Sequence, residues 1–253
     1  MRSSMQIAVI NLSPRINDSD VHLLAAAAQR HLVDVAQLWR RVPLPVVVLR
    51  PKDPLGSAVW PIYLRGSLSV PDALGDHDVT SDGRPRGEVG LSEILDSGGT
   101  LFEGADSVSA CLTHEAAEID GDEFASFWAD MPLGTPIAPR ATQICLELCD
   151  PVEMDVYHVQ IGKQAVAVSN FVGPAYFNAG APKGSRFDMM GKLAAPFTMT
   201  KGGYLILRNA DGSEDQTFAD GAGPAGDLWK AWRVAKKAHK LSRTSRRRAA
   251  PSR

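Results

Sequence analysis

Apolar positions along this chain change their period several times, and each change predicts an element. Ile7-Ala-Val-Ile10 is an unbroken apolar run that reads as a buried strand over Gln6 to Asn11. Asn17-Asp18-Ser19-Asp20 then offers N-cap residues. Val21, Leu24, Ala28, Leu32, Val35 and Leu38 follow at three- and four-residue intervals, predicting a helix with one core-facing side. Pro43 and Pro45 end it. Val46-Val-Val-Leu49 reads as a second buried strand, and Ala58 to Leu64 as a third. Pro61 places the third at a sheet edge, because proline cannot donate to the ladder. Asp72 to Arg86 is polar and turn-rich around Asp82-Gly83, and Gly87 to Leu91 returns as a short fourth strand.

Ser107 to Gly121 reads as a short helix that is apolar nearly all round, since Val108, Leu112 and Ile119 share one face and Cys111 and small alanines stand on another. Gly134 to Arg140 is a Pro/Gly loop. Thr142 to Leu148 is apolar around Glu147 and runs into Cys149-Asp150-Pro151. Tyr157 to Ser169 alternates in hydrophobicity and predicts a hairpin turning at Gly162-Lys163, which makes His158 a strand residue. Strands and helices in this order predict an α+β fold with a β-rich C-terminal part.

The central helix carries the candidate chemistry. His114 and Glu118 stand four residues apart, so they project from the same face, where a metal ion can sit between them. Glu115 points about 100° further round, where it can take a proton from an attacking water without ligating the metal. Burying ionised carboxylates costs several kcal/mol each unless they are paired. A buried helix with one His and two Glu therefore needs either a cation or a basic side chain beside it.

Composition narrows the picture in two places. The 253-residue chain has a net charge of −2, but ten Lys and Arg and no acid fall between Lys230 and Arg253, so the residues before them stand at −12. Leu228 to Leu241 can form a basic amphipathic helix, and Ser242 to Arg253 is too poor in apolar residues to fold alone. Lys236, Lys237, Lys240, Arg243, Arg246, Arg247 and Arg248 make this tail a polyanion-binding candidate for nucleic acid, an anionic membrane or an acidic protein surface. Cys111, Cys145 and Cys149 are odd in number and lack Cys-x-x-Cys spacing, which argues against a disulfide framework and a thiolate zinc knuckle. The N-terminal apolar run is too short for a signal peptide or a transmembrane segment.

Several stretches together resemble a family of phage, prophage and bacterial proteins that look like zincin-type metallopeptidases with a His-Glu-x-x-Glu helix. They are Ile7 to Asn11 with the helix after it, Ala73-Leu-Gly-Asp-His77-Asp78-Val-Thr80, and Thr113-His114-Glu115-Ala-Ala-Glu118. Leu146 to Glu153, Val168 to Val172, Pro174 to Phe177, and Ala195-Pro-Phe197 leading to Gly202-Gly-Tyr204 complete the set. The resemblance covers about residues 6 to 220. It departs at Ala116-Ala117, where the family carries larger aliphatics, and at Asp76, where it carries an aromatic.

The resemblance implies a zincin-like domain over residues 1–225, followed by the basic tail over 226–253. It implies a twisted mixed sheet beside a backing helix, an edge strand over a cleft, and the metal helix beneath. It further implies a metal-dependent peptidase or amidase with His114 and Glu118 as ligands and Glu115 as general base. Glu147 would be the third ligand, with Asp150 as the alternative. His77 itself reads as a loop residue that either borders the cleft or binds substrate, the alternative being a plain surface histidine. One His and two carboxylates suit Zn2+, with Mn2+, Fe2+ or Ca2+ as competitors. The alternative is a non-enzymatic virion protein that keeps the fold as a structural module and docks its tail on DNA or on other phage proteins. Either reading places the chain in the cytoplasm or on a particle.

Overall fold

The computed structural model of the protein describes residues 5–68 and 73–219. The expectations for the tail, including all seven of its named Lys and Arg residues, lie outside the described residues. Among the described residues, no helix is long and apolar enough to cross a membrane.

The first half of the chain builds a mixed five-stranded sheet. Strands β1 (Gln6–Asn11), β2 (Val46–Leu49), β3 (Val59–Arg65) and β5 (Pro85–Gly90) run parallel, and β4 (Gly75–Val79) closes one edge antiparallel to β5. The spatial order is β2-β1-β3-β5-β4. Helix α1 (Asp18–Trp39) connects β1 to β2. Its start is fixed by a capping box between Asn17 and Asp20, and it stops at Arg40, which adopts a left-handed backbone (φ 52°) and donates its N–H to the last turn.

Three strand expectations change. Pro61 lies in an interior strand, because β3 runs between β1 and β5. Its missing donor is accommodated where pairing to β5 has not begun: Pro61 pairs with Ala8 of β1, whereas the β5 ladder starts at Ile62. β2 is half-buried rather than buried, because it forms the opposite edge. The polar stretch around His77 is not a loop: Gly75 to Val79 forms the edge strand, stabilised by its ladder with β5 despite two aspartates.

A short helix α2 (Leu91–Leu95) leads from β5 towards helix α3 (Val108–Gly121), which lies beside α1 on one face of the sheet. Ile7, Val9, Trp60, Ile62, Leu64 and Val89 of the sheet meet Leu24 and Leu32 of α1 and Leu112 and Ile119 of α3 in the main core. Ser107 caps α3 by accepting the N–H of Ala110, and every residue of the helix except Cys111 is buried.

The remaining strands form two smaller sheets. β6 (Trp128–Asp130), β7 (Ala141–Cys145), β10 (Tyr204–Asn209) and β11 (Glu214–Phe218) make an antiparallel sheet in the order β11-β10-β7-β6. Ile144, Tyr176, Phe197 and Leu205 belong to the separate core beside it. β8 (Val156–Ile161) and β9 (Gln164–Ser169) are the expected hairpin, turning at Gly162 with a left-handed φ of 60°. His158 lies on β8 and is exposed.

The hairpin docks on α3 through hydroxyls. Ala167 of β9 donates to the carbonyl of Phe102 (2.8 Å) and accepts from Ser109 Oγ (2.7 Å). Ser169 donates to Thr113 Oγ1 (3.0 Å), and its carbonyl meets Nε2 of His31 at 2.8 Å. The outward backbone groups of these two β9 residues thus find partners without a further strand.

Candidate metal centre

Four carboxylates and two imidazoles converge between α3, β4 and the segment after β7. On α3, Nε2 of His114 lies 3.0 Å from Oε1 of Glu118, one turn along. Asp150 reaches the same imidazole nitrogen from outside the helix, with Oδ1 at 3.3 Å. The ligand atoms of His114, Glu118 and Asp150 all lie within 4.8 Å of one another, and all three residues are buried, so they can hold a metal ion.

His77 enters from β4. Strand alternation sends it towards α3, on the same face as its register partner Gly87, while Asp76 and Asp78 turn to the opposite face. On that opposite face Asp76 stands across from Glu88, which is ion-paired to Arg65 and Arg86. Gly87 eases the approach of α3: a Cβ there would sit 3.1 Å from the δ-methyl of Ile119, which would have to give by a few tenths of an ångström. His77 is 1% exposed. Its Nδ1 lies 3.0 Å from Glu118 Oε2 and 3.5 Å from Glu115 Oε2, and its Nε2 lies 3.5 Å from Glu147 Oε2. His77, Glu115 and Glu118 form a second buried group with all ligand atoms within 4.8 Å.

The structure therefore brings all six residues singled out from the sequence into one place but arranges them differently from the expectation. Glu147 stands at His77, Asp150 stands at His114, and His77 is buried among carboxylates instead of lining an exposed loop.

Asp150 is held by several parts of the C-terminal region. It opens a 3-10 turn, Asp150–Val152, with Pro151 second. The Pro151 carbonyl accepts the N–H of Thr200 at 3.0 Å, and Gly203 packs so closely on that turn that a side chain would collide with its backbone. Tyr204 then places its hydroxyl on the Asp150 carboxylate, and burial, with Asp150 adding to it, pushes the phenol well above its ordinary range. Tyr204 is thus a supporting residue, one that stands in the Gly202-Gly-Tyr204 stretch of the resemblance but is given no role by it. Its signal is the Gly202-Gly203 pair, which marks a close backbone approach.

Electrostatics follow from so many acids in a dry place. The carboxyl of Asp122, just beyond α3, is pushed up to about 6, first by burial and then by the charge of Glu147, although it accepts the N–H groups of Ser126 and Phe127. Cys149 is buried, and burial followed by the charge of Glu118 raises its thiol further, so it packs as a protonated core residue. One buried oxygen, Oε2 of Glu115, makes no hydrogen bond among the described residues and faces the His77 ring.

A small cavity of about 30 Å³ adjoins the cluster, enough for water, and is lined by Gly75, Cys111, His114, Glu115, Glu153 and Ser169 among others. Gly75 makes room there. A Cβ at this position would lie 2.5 Å from Cys111 Sγ and 2.6 Å from Glu115 Oε1. Compared with known proteins, the chain matches no family model, no curated protein and no solved structure.

Proposed function

We propose that this protein is a metal-dependent hydrolase of amide bonds, with the cation on His114, Glu118 and Asp150 and with Glu115 as general base. The observation that carries the reading is the closure of Asp150 on the His114 and Glu118 pair, which supplies three ligand atoms of the type and spacing a catalytic cation takes. The Glu115 carboxylate, whose Oε1 lies against Gly75 at the wall of the adjoining cavity, fits the same reading.

A divalent cation at this site supplies Lewis acidity, polarising a carbonyl and bringing the pKa of water towards neutrality. The protein's own residues perform the rest. Glu115 takes a proton from the attacking water as the new C–O bond forms. It returns that proton to the leaving nitrogen as the C–N bond breaks, leaving a carboxylate and an amine. Tyr204 holds Asp150 in place, and the surrounding apolar helix excludes bulk water. One imidazole and two carboxylates suit Zn2+, with Mn2+, Fe2+ and Ca2+ as competitors. A peptide substrate is supported by the position of β4, the last strand of its sheet, whose Gly75 and preceding Leu74 line the cavity. An extended peptide can add to such an edge by backbone hydrogen bonds.

The test is elemental analysis of protein purified without added metal, together with a peptide-library digest. Wild type should carry a stoichiometric metal and cleave, and the content should fall in His114→Ala, Glu118→Ala and Asp150→Ala. Unchanged metal content in all three variants, or cleavage indifferent to a chelator, would sink this reading.

A further inference from the structure

We propose that the centre takes two divalent cations, the second on His77, Glu115 and Glu118, with Glu118 shared between both. The inference rests on the metal reading above and extends it to a site of its own.

Glu118 is the first argument. Its Oε1 faces Nε2 of His114 and its Oε2 faces Nδ1 of His77, each at 3.0 Å, and the residue is fully buried. Each oxygen of this one carboxylate addresses a different imidazole nitrogen, which is the disposition of a bridging ligand in two-metal sites. The ring of His77 is the second. Nδ1 meets Glu115 and Glu118, whereas Nε2 points at Glu147. A ligating histidine commonly donates its other ring N–H to a carboxylate that fixes its tautomer and orientation. Glu147, within ion-pair distance of Nε2 at 3.5 Å, is the carboxylate placed to take that positioning part.

The third argument is burial with convergence: His77, Glu115 and Glu118 are each no more than 2% exposed, and their ligand atoms all lie within 4.8 Å of one another. Glu115 can serve both roles because its oxygens are divided. Oε2 faces His77, and Oε1 lies against Gly75 at the cavity.

The probe is Mn2+, which accepts carboxylate-rich sites and reports ion pairs through spin coupling. The full-length protein, stripped with chelator and reloaded with Mn2+, should bind two ions per chain and give an exchange-coupled resonance spectrum. His77→Ala and His77→Gln should each hold one ion with an uncoupled six-line spectrum. Glu147→Gln should keep both sites and weaken the second about 10- to 100-fold. One Mn2+ per wild-type chain, lost in His114→Ala and kept in His77→Ala, would overturn the second site and leave the hydrolytic reading standing. Two uncoupled ions would place the second elsewhere and overturn it as well. No bound Mn2+ would overturn the second site, and if the protein as purified also carries no metal, both readings fall. Wild-type stoichiometry and coupling decide the matter even where a His77 variant folds poorly.

Discussion

Gly75 and Glu115 meet with no room left for a side chain as they stand: a Cβ on Gly75 would be 2.6 Å from Oε1 of Glu115, so the carboxylate would have to move aside. The glycine on the edge strand therefore sets where the proposed base can sit. Gly75→Ala should displace Glu115 and Cys111, lower stability by about 1–3 kcal/mol through overpacking, and reduce turnover about 10²-fold through misplacement of the base. Metal content at His114, Glu118 and Asp150 should hold. A variant with wild-type turnover on a peptide substrate would show that Glu115 needs no such placement.

Glu115→Gln separates proton transfer from metal binding at His114. The amide keeps the shape of the side chain and cannot accept the proton of the attacking water. Hydrolysis should drop about 10²- to 10⁴-fold, with the His114 ion retained. Single-turnover assays on wild type and variant, prepared in parallel, check this. Equal rates would assign the activity to another site.

His31 makes stability depend on pH. It is fully buried on α1 against Ser169, Tyr157 and Phe171, and burial, only partly opposed by the Ser169 carbonyl, pushes its pKa down to about 4. Above pH 6.5 both folded and unfolded chains carry it neutral, and its contribution is complete. As pH falls from 6.5 towards 4 the unfolded chain takes up a proton that the folded chain refuses, so stability is lost. The loss between pH 7.5 and 5 should be about 2 kcal/mol. Urea unfolding in chelator, with His31→Leu as the non-titrating control, measures it. The same slope in both proteins would mean that the ring titrates normally in the fold.

Arg41 pins the two helices together. Just beyond α1, it donates to both the carbonyl and the carboxylate of Asp120 near the end of α3, and Asp120 has no exposed surface. Removing the guanidinium from a buried pair is strongly destabilising, so Arg41→Ala should cost about 3 kcal/mol. Thermal or urea unfolding would show a change below 1 kcal/mol if Asp120 were well served without it.

Legibility of the sequence followed the strength of local signals. α1, β1, the β8–β9 hairpin and the buried character of α3 were readable because each rests on a period, a cap or a turn within a dozen residues. β4 was not, since Gly75-Asp-His-Asp-Val79 has the composition of a turn and becomes a strand only through pairing with β5. Pro61 misled in the opposite sense, because the ladder it would have broken begins one residue later. At the site, the one-turn spacing of His114 and Glu118 was visible on the helix itself. The partners of each imidazole were not. Whether Glu147 or Asp150 reaches His114 depends on how Tyr204 and Gly203, more than fifty residues further on, wrap the Asp150 turn.

The docking of β9 on the hydroxyls of α3 also bears on how the chain avoids associating with itself. A hairpin of two strands offers an outer rim to any extended segment in solution, a common route to runaway self-assembly. Here Ser109, Thr113, His31 and the Phe102 carbonyl occupy that rim at Ala167 and Ser169. The same helix that presents His114 and Glu118 thus serves as a selvedge, and a substitution that loosens Ser109 or Thr113 would free the backbone of Ala167 or Ser169 to pair with another strand.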